Sequence, residues 1–159
     1  MSADRVTQDP VFRRATAADL PAIVAMLADD ILGQAREDAS LPLAQGYLDA
    51  FAAIDANPNM ALMVAVEDGR VVGTLQLILA PNLSRQGAWR GIVEAVRVAA
   101  DRRGQGLGAK LMQWAVEECR RRGCRMVQLT TDKSRTDAHR FYERLGFKPS
   151  HAGYKMELS

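Results

Sequence analysis

The stretch Val96-Arg97-Val98-Ala99-Ala100-Asp101-Arg102-Arg103-Gly104-Gln105-Gly106-Leu107-Gly108 decides how this chain is read. It passes from an alternating, β-branched run into a glycine-rich turn, and the turn opens a helical pattern. The free backbone N–H groups at such a helix start carry the positive end of the helix dipole, which suits a phosphate or diphosphate. Glycine removes the Cβ that would keep a ligand away from the backbone, and Arg102 and Arg103 add positive charge.

Downstream, Leu107, Leu111, Ala115 and Cys119 form the inner stripe of a helix that runs to about Arg122, with Gly123 as its C-terminal cap. Met126 to Thr131 reads as a strand. Ala138, Phe141, Tyr142 and Leu145 mark another helix stopped by Gly146, and Phe147 and Tyr154 to Leu158 read as closing strands. Upstream, Ile92 to Ala99 is a strand preceded by a loop from Pro81 to Gly91. Met60 to Val66 and Val71 to Leu79 are apolar runs joined by Glu67-Asp68-Gly69-Arg70, a hairpin signal. A helix over Leu43 to Ala56 ends at Asn57-Pro58-Asn59. Leu20, Ile23, Val24, Leu27 and Ile31 recur at helical spacing, with Pro21 in the first turn. Val11 to Thr16 is a strand, and Gly33 to Ser40 is a polar break between the helices.

This order gives an α/β (α+β) fold. The expected architecture is a mixed central sheet of about six to seven strands flanked by about four helices. Residues 1–10 are expected to be a flexible segment and residues 11–159 one domain, because two cores in 159 residues would each be marginal.

Two other glycine-rich sites fit less well. Gly104-Gln105-Gly106-Leu107-Gly108-Ala109 satisfies the G-x-G-x-x-A spacing of dinucleotide folds, with Asp132 after the next strand. That fingerprint, however, needs its first glycine directly after a buried parallel strand, and Ala100 to Arg103 intervene. A P-loop requires Lys-Ser or Lys-Thr after its last glycine, where this chain has Ala109-Lys110.

The segment closely resembles the diphosphate loop of the GNAT superfamily of acetyl-CoA-dependent N-acetyltransferases. That loop reads Arg or Gln, two residues, Gly, one residue, Gly or Ala. Arg103, Gly106 and Gly108 meet it in register behind a Val-x-Val strand at Val96 and Val98. Ala138-His139-Arg140-Phe141-Tyr142-Glu143-Arg144-Leu145-Gly146-Phe147 resembles the family's second signature, one helix and one strand further on. The likeness extends from Val11 to Leu158.

The resemblance implies transfer of an acetyl group from acetyl-CoA to a primary amine of a small molecule or peptide, by direct attack and without a metal. By analogy, Val96, Arg97 and Val98 line the pantetheine arm. Arg103, Gly104, Gln105, Gly106, Leu107, Gly108 and Ala109 hold the diphosphate. Tyr142 matches the tyrosine that protonates the departing thiolate, the alternative being a core tyrosine beside Phe141. Glu94 is the candidate base, placed by simple alternation on one face with Ile92, Val96 and Val98; the alternative is a solvent-facing strand residue. Arg135 stands where many members carry Asn, so it is either a coenzyme A contact or a helix-start surface residue. A homodimer is known in the family, with no interface pattern visible in this sequence. A non-catalytic acyl-CoA sensor on the same fold would keep the loop and need neither acid nor base.

Composition narrows the partners further. The net charge of +2 is too small to make nucleic acid a main partner. Arg120-Arg121-Arg122 reads as cations at a helix C-terminus. Cys119 and Cys124 match no zinc or redox spacing, and His139 and His151 belong to no ligand cluster. Trp89 and Trp114 read as packing residues. The N-terminal MSADRVTQDP lacks the apolar core of a secretion signal, and no apolar run approaches the ~20 residues of a membrane span, so a cytoplasmic setting is expected.

Overall fold

A computed structural model describes residues 8–159. The first seven residues of the expected flexible segment lie outside the described residues. The chain runs β1 (Val11–Arg14), α1 (Leu20–Ala28), α2 (Ile31–Gln34), α3 (Gln45–Ala56), β2 (Met60–Glu67), β3 (Arg70–Ala80), α4 (Ser84–Gly87), β4 (Arg90–Val98), α5 (Leu107–Arg121), β5 (Met126–Leu129) and α6 (Thr136–Arg144). Short 3-10 turns precede α1 and follow β4, at Ala17–Asp19 and Ala100–Arg102.

The strands form one sheet in the order β1-β2-β3-β4-β5. The first four pair antiparallel, and β4 pairs with β5 in parallel, as the α5 crossover between them requires. One face packs on α5: Leu107, Leu111, Met112, Ala115 and Cys119 meet Met63, Leu75, Leu77, Leu79 and Val93. The other packs on α1, where Leu20 and Ile23 join Ala15 and Val64, with Phe51 of α3 against them. The four longer helices are those expected from periodicity. The two extra ones are single turns: α2 takes Ile31 from the expected first helix and runs into the polar break, and α4, inside the Pro81 to Gly91 loop, contains left-handed residues at Arg85 and Gln86.

Three expectations need correction. The sheet has five strands among the described residues. The closing strands at Phe147 and Tyr154 to Leu158 do not form. Phe147 spends its N–H on Tyr142 O at 3.1 Å, closing the end of α6, and Pro149 then has no N–H to offer a ladder. Tyr154, Met156 and Leu158 are 94%, 84% and 88% exposed, so their alternation finds no face to cover.

The helix expected to run from Leu20 through Ile31 breaks after Ala28. Asp30 becomes the N-cap of α2, its side chain accepting from Gly33 N at 2.6 Å. Gly33 permits the fold-back: a Cβ there would lie 1.9 Å from the backbone oxygen of Leu27.

The third correction concerns β4. Its register against β3 shifts between Thr74 and Gln76, and Ala95 has φ 52°. This bulge puts two β4 residues opposite Leu75 and resets the alternation. Val96 and Val98 therefore pack with the α5-side core, alongside Val93. Ile92 and Glu94, opposite Ile78 and Gln76, lie on the α1 face, and Arg97, opposite Thr74, joins them there. Glu94, Val96 and Val98 do not share a face.

Candidate active site

The β4–β5 ladder covers only Arg90–Val93 against Met126–Leu129. Beyond Val93 the bulged half of β4 has no strand on its β5 side, so Glu94 to Val98 border an opening between the two strand ends. The start of α5 and the first turns of α6 lie around that opening.

Gly104 and Gly106 adopt left-handed φ values of 74° and 82°, which a residue with a Cβ rarely holds. A Cβ at either position would meet nothing within 4 Å, so conformation rather than crowding calls for glycine. Gly106 is the N-cap of α5 and has no capping side chain, while its carbonyl accepts from Lys110 N at 3.1 Å. The amides of Leu107, Gly108 and Ala109 precede the first intrahelical bond and are free to donate. At Gly108 an added Cβ would sit 3.4 Å from Phe141 Cζ and 3.8 Å from Val98 Cγ2, so α6 closes over the start of α5. Three amides converging at the positive end of a 15-residue helix fit a diphosphate.

The cationic side chains around the loop are engaged with other elements. Arg102 pairs with Glu67 at 2.8 Å and Arg70 with Asp101 at 2.7 Å. Arg103 reaches the α1–α2 junction, donating to Asp29 O at 3.2 Å, and its Nε donates to Val98 O at 3.3 Å. Arg103 thus occupies its expected position in the loop, but its guanidinium ties β4 to the turn after α1.

Tyr142 lies in the α6 layer, edge-on to Phe141 (ring centroids 5.1 Å apart) and to Phe147 (6.1 Å). Burial raises its phenol above the ordinary value, while Arg97 and Arg135 pull the other way. The phenol therefore stays protonated at neutral pH, as a proton donor must. Glu94 is exposed beside the opening.

Arg97 and Arg135 meet at Asp30. Arg97 Nη2 is 3.3 Å and Arg135 Nη2 3.0 Å from the same oxygen, Asp30 Oδ2. Arg135 is the N-cap residue of α6, so this contact joins α6, β4 and the α1–α2 junction. The two aspartates, Asp29 and Asp30, were not legible as site residues because the apolar stripe through Ile31 hid the helix break. The available signal was an Asp three residues before Gly33, an N-cap pattern.

Other candidates take structural places. Cys119 is buried under the sheet, its thiol pushed up to about 12 by burial, so it is no nucleophile. Arg120 and Arg121 pair with Glu117 and Glu118 on their own helix. His139 contacts Asp132 O and His151 contacts Ser150 Oγ. Trp114 packs on the core, whereas Trp89 is partly exposed. Among the described residues no group of three or more His, Cys, Asp or Glu could hold a metal, and no helix is long and apolar enough to cross a membrane.

A mixed sheet split between two parallel strands, with a bare-amide helix start at the split, has the form of a site for a diphosphate-bearing acyl donor. The acetyltransferase (GNAT) family matches residues 26–147, and the chain belongs to that family. It is similar to an aminoalkylphosphonate N-acetyltransferase of Salmonella typhimurium, 38% identical over 72% of this chain and 73% of that protein. A glucosamine 6-phosphate N-acetyltransferase of Trypanosoma brucei is 34% identical over 57% of this chain and 59% of that protein. A crystal structure from Bacillus halodurans, described as a transcriptional regulator, superposes with a TM-score of 0.92 at 48% identity, covering 94% of this chain and 99% of the other. The protein is accordingly an acyltransferase, and its reaction is N-acetylation with acetyl-CoA as donor.

Proposed function

We propose that the acceptor is a small primary amine carrying a phosphonate or phosphate group, and that residues 11–159 form one acetyltransferase domain that acts on it in the cytoplasm. Two relatives support the acceptor class, since both are named for amines that also carry phosphorus oxyanions. The single observation that carries the catalytic reading is the split between β4 and β5, with the free amides of Leu107, Gly108 and Ala109 at its end.

In this reading the loop from Arg103 to Ala109 grips the diphosphate of acetyl-CoA, and Val96 to Val98 run beside its pantetheine arm. An amine attacks the thioester carbonyl only as the free base, so a proton must leave it. Glu94, exposed at the mouth of the split, takes that proton directly or through water. An unpaired β4 amide next to the bulge donates to the carbonyl oxygen as it becomes an oxyanion. Collapse of the tetrahedral intermediate breaks the C–S bond, and the Tyr142 phenol protonates the departing thiolate. The products are the N-acetyl amide and free coenzyme A.

The test is release of free thiol from acetyl-CoA when purified protein is mixed with a panel of primary amines. Amine-dependent thiol release is expected, with the acetyl group recovered on nitrogen. Saturable acetyl-CoA binding without transfer to any amine would overturn the reading in favour of a sensor. Sedimentation of the same protein tests the homodimer expected from the family.

A further inference from the structure

We propose that Arg97 and Arg135, held side by side by Asp30, are the subsite that takes the tetrahedral –PO3 dianion of the acceptor, a few atoms from the amine that reacts. This rests on the acetyltransferase reading above and adds to it the residues that select the substrate.

The geometry is that of an anion clamp with surplus charge. Arg135 donates to Asp30 Oδ2 and Arg97 lies within ion-pair distance of the same oxygen, so their Nη2 atoms cannot be further apart than the two distances combined. Asp30, Arg97 and Arg135 are only 18%, 19% and 30% exposed. One carboxylate balances one guanidinium. A second cation in so sheltered a place is unfavourable unless another anion joins it. Two guanidinium groups on one carboxylate leave one positive charge unbalanced, which a phosphonate or phosphate oxyanion would neutralise. Arg97 also has donors to spare. Nη1 donates to Val96 O at 2.9 Å and Nη2 lies 3.3 Å from Asp30, and each of these nitrogens carries a second N–H for a ligand oxygen. Planar guanidinium forks suit phosphonate and phosphate oxygens.

The position relative to the chemistry fits the same ligand. Because of the Ala95 bulge, Glu94 and Arg97 lie on one face of β4, three residues apart in sequence. Arg97 and Arg135 are also the two cations whose charge reaches the Tyr142 phenol. An amine beside Glu94 and an anion on Arg97 would thus be separated by a short linker, that of an aminoalkylphosphonate or a phosphoethanolamine. Asp30 acts as a positioning residue: it orients both arginines from the α2 N-cap, to which Gly33 N anchors it.

Steady-state kinetics with 2-aminoethylphosphonate, O-phosphoethanolamine and n-propylamine tests this directly. The wild-type enzyme is expected to prefer the two acids by kcat/KM, and the comparison between them tells phosphonate from phosphate ester. Arg97→Gln and Arg135→Gln should each reduce the acid-to-propylamine ratio by about ten- to a hundredfold, the range for losing a charged hydrogen-bonding partner. Arg97→Lys, which keeps the charge and loses the fork, should recover part of it. If folded variants keep the wild-type ratio while KM for acetyl-CoA rises, the arginines serve the cofactor and the proposal is wrong. Calorimetric titration of 2-aminoethylphosphonate into coenzyme A-saturated protein decides the subsite even if no amine is turned over. Binding lost in the Arg97→Gln, Arg135→Gln double variant supports it; binding of equal strength in both proteins sinks it. Failure of the acetyltransferase reading itself would appear instead as no thiol release from any amine.

Discussion

Tyr142 shows how surroundings set the protonation of one side chain. Its ring is fixed by edge contacts with Phe141 and Phe147, so the phenol has few orientations open to it. Burial disfavours the phenolate more strongly than the two arginines favour it, and the proton stays on oxygen. Removing only that oxygen should therefore remove a proton donor and leave the packing intact. Tyr142→Phe is expected to lower kcat by about a hundredfold or more, the usual contribution of general acid catalysis. Its affinity for acetyl-CoA should be close to wild type, because diphosphate binding is elsewhere. Single-turnover rates that match between the two proteins would assign the ring to packing alone. The position of Tyr142 was legible in the Phe141-Tyr142 signature; its desolvation was not, because burial depends on Phe147 folding back over the end of α6.

At the scale of elements, α5 does two jobs with two parts of its sequence. Its length supplies the stripe Leu107, Leu111, Ala115 and Cys119 that packs on the sheet. Its first turn supplies amides that no side chain caps, left open by the left-handed Gly106. Gly106→Glu should abolish detectable acetyl-CoA binding in calorimetry. It forces a side chain onto a φ of 82° and brings a carboxylate to where the diphosphate would lie. Wild-type affinity in that variant would mean the cofactor lies elsewhere. The β4 strand offers the contrasting lesson. Its existence and extent were readable from Ile92 to Ala99, yet strict alternation gave the wrong face for Glu94. A bulge at Ala95 is invisible to a period-two pattern because alanine is neutral in it. Only pairing with β3 reveals that two residues share one partner.

At the scale of the whole molecule, the sheet is sandwiched between α5 and α1, and the proposed active site lies where that sandwich is left open between β4 and β5. Leu111 holds the α5 side together: it is fully buried, and its Cδ1 lies 3.0 Å from the position a Cβ would take on Gly73. Leu111→Ala should lower unfolding stability by about 2–5 kcal/mol, read from denaturant midpoints at constant slope. A midpoint unchanged from wild type would show that the α5 layer repacks freely.

Much of this protein could be read from its residues alone. Most helix and strand identities follow from periodicity, and the glycine turn that opens α5 follows from glycines at fixed spacing before an apolar helix. These are local properties, set by backbone sterics and by which side chains repeat on one face. Tertiary structure decided the rest. The face that Glu94 takes on β4 depends on pairing with β3, and the meeting of Arg97, Arg135 and Asp30 joins residues as much as 105 positions apart in the chain. Charge pairing and burial act through space, and no local pattern records which distant groups the fold will bring together.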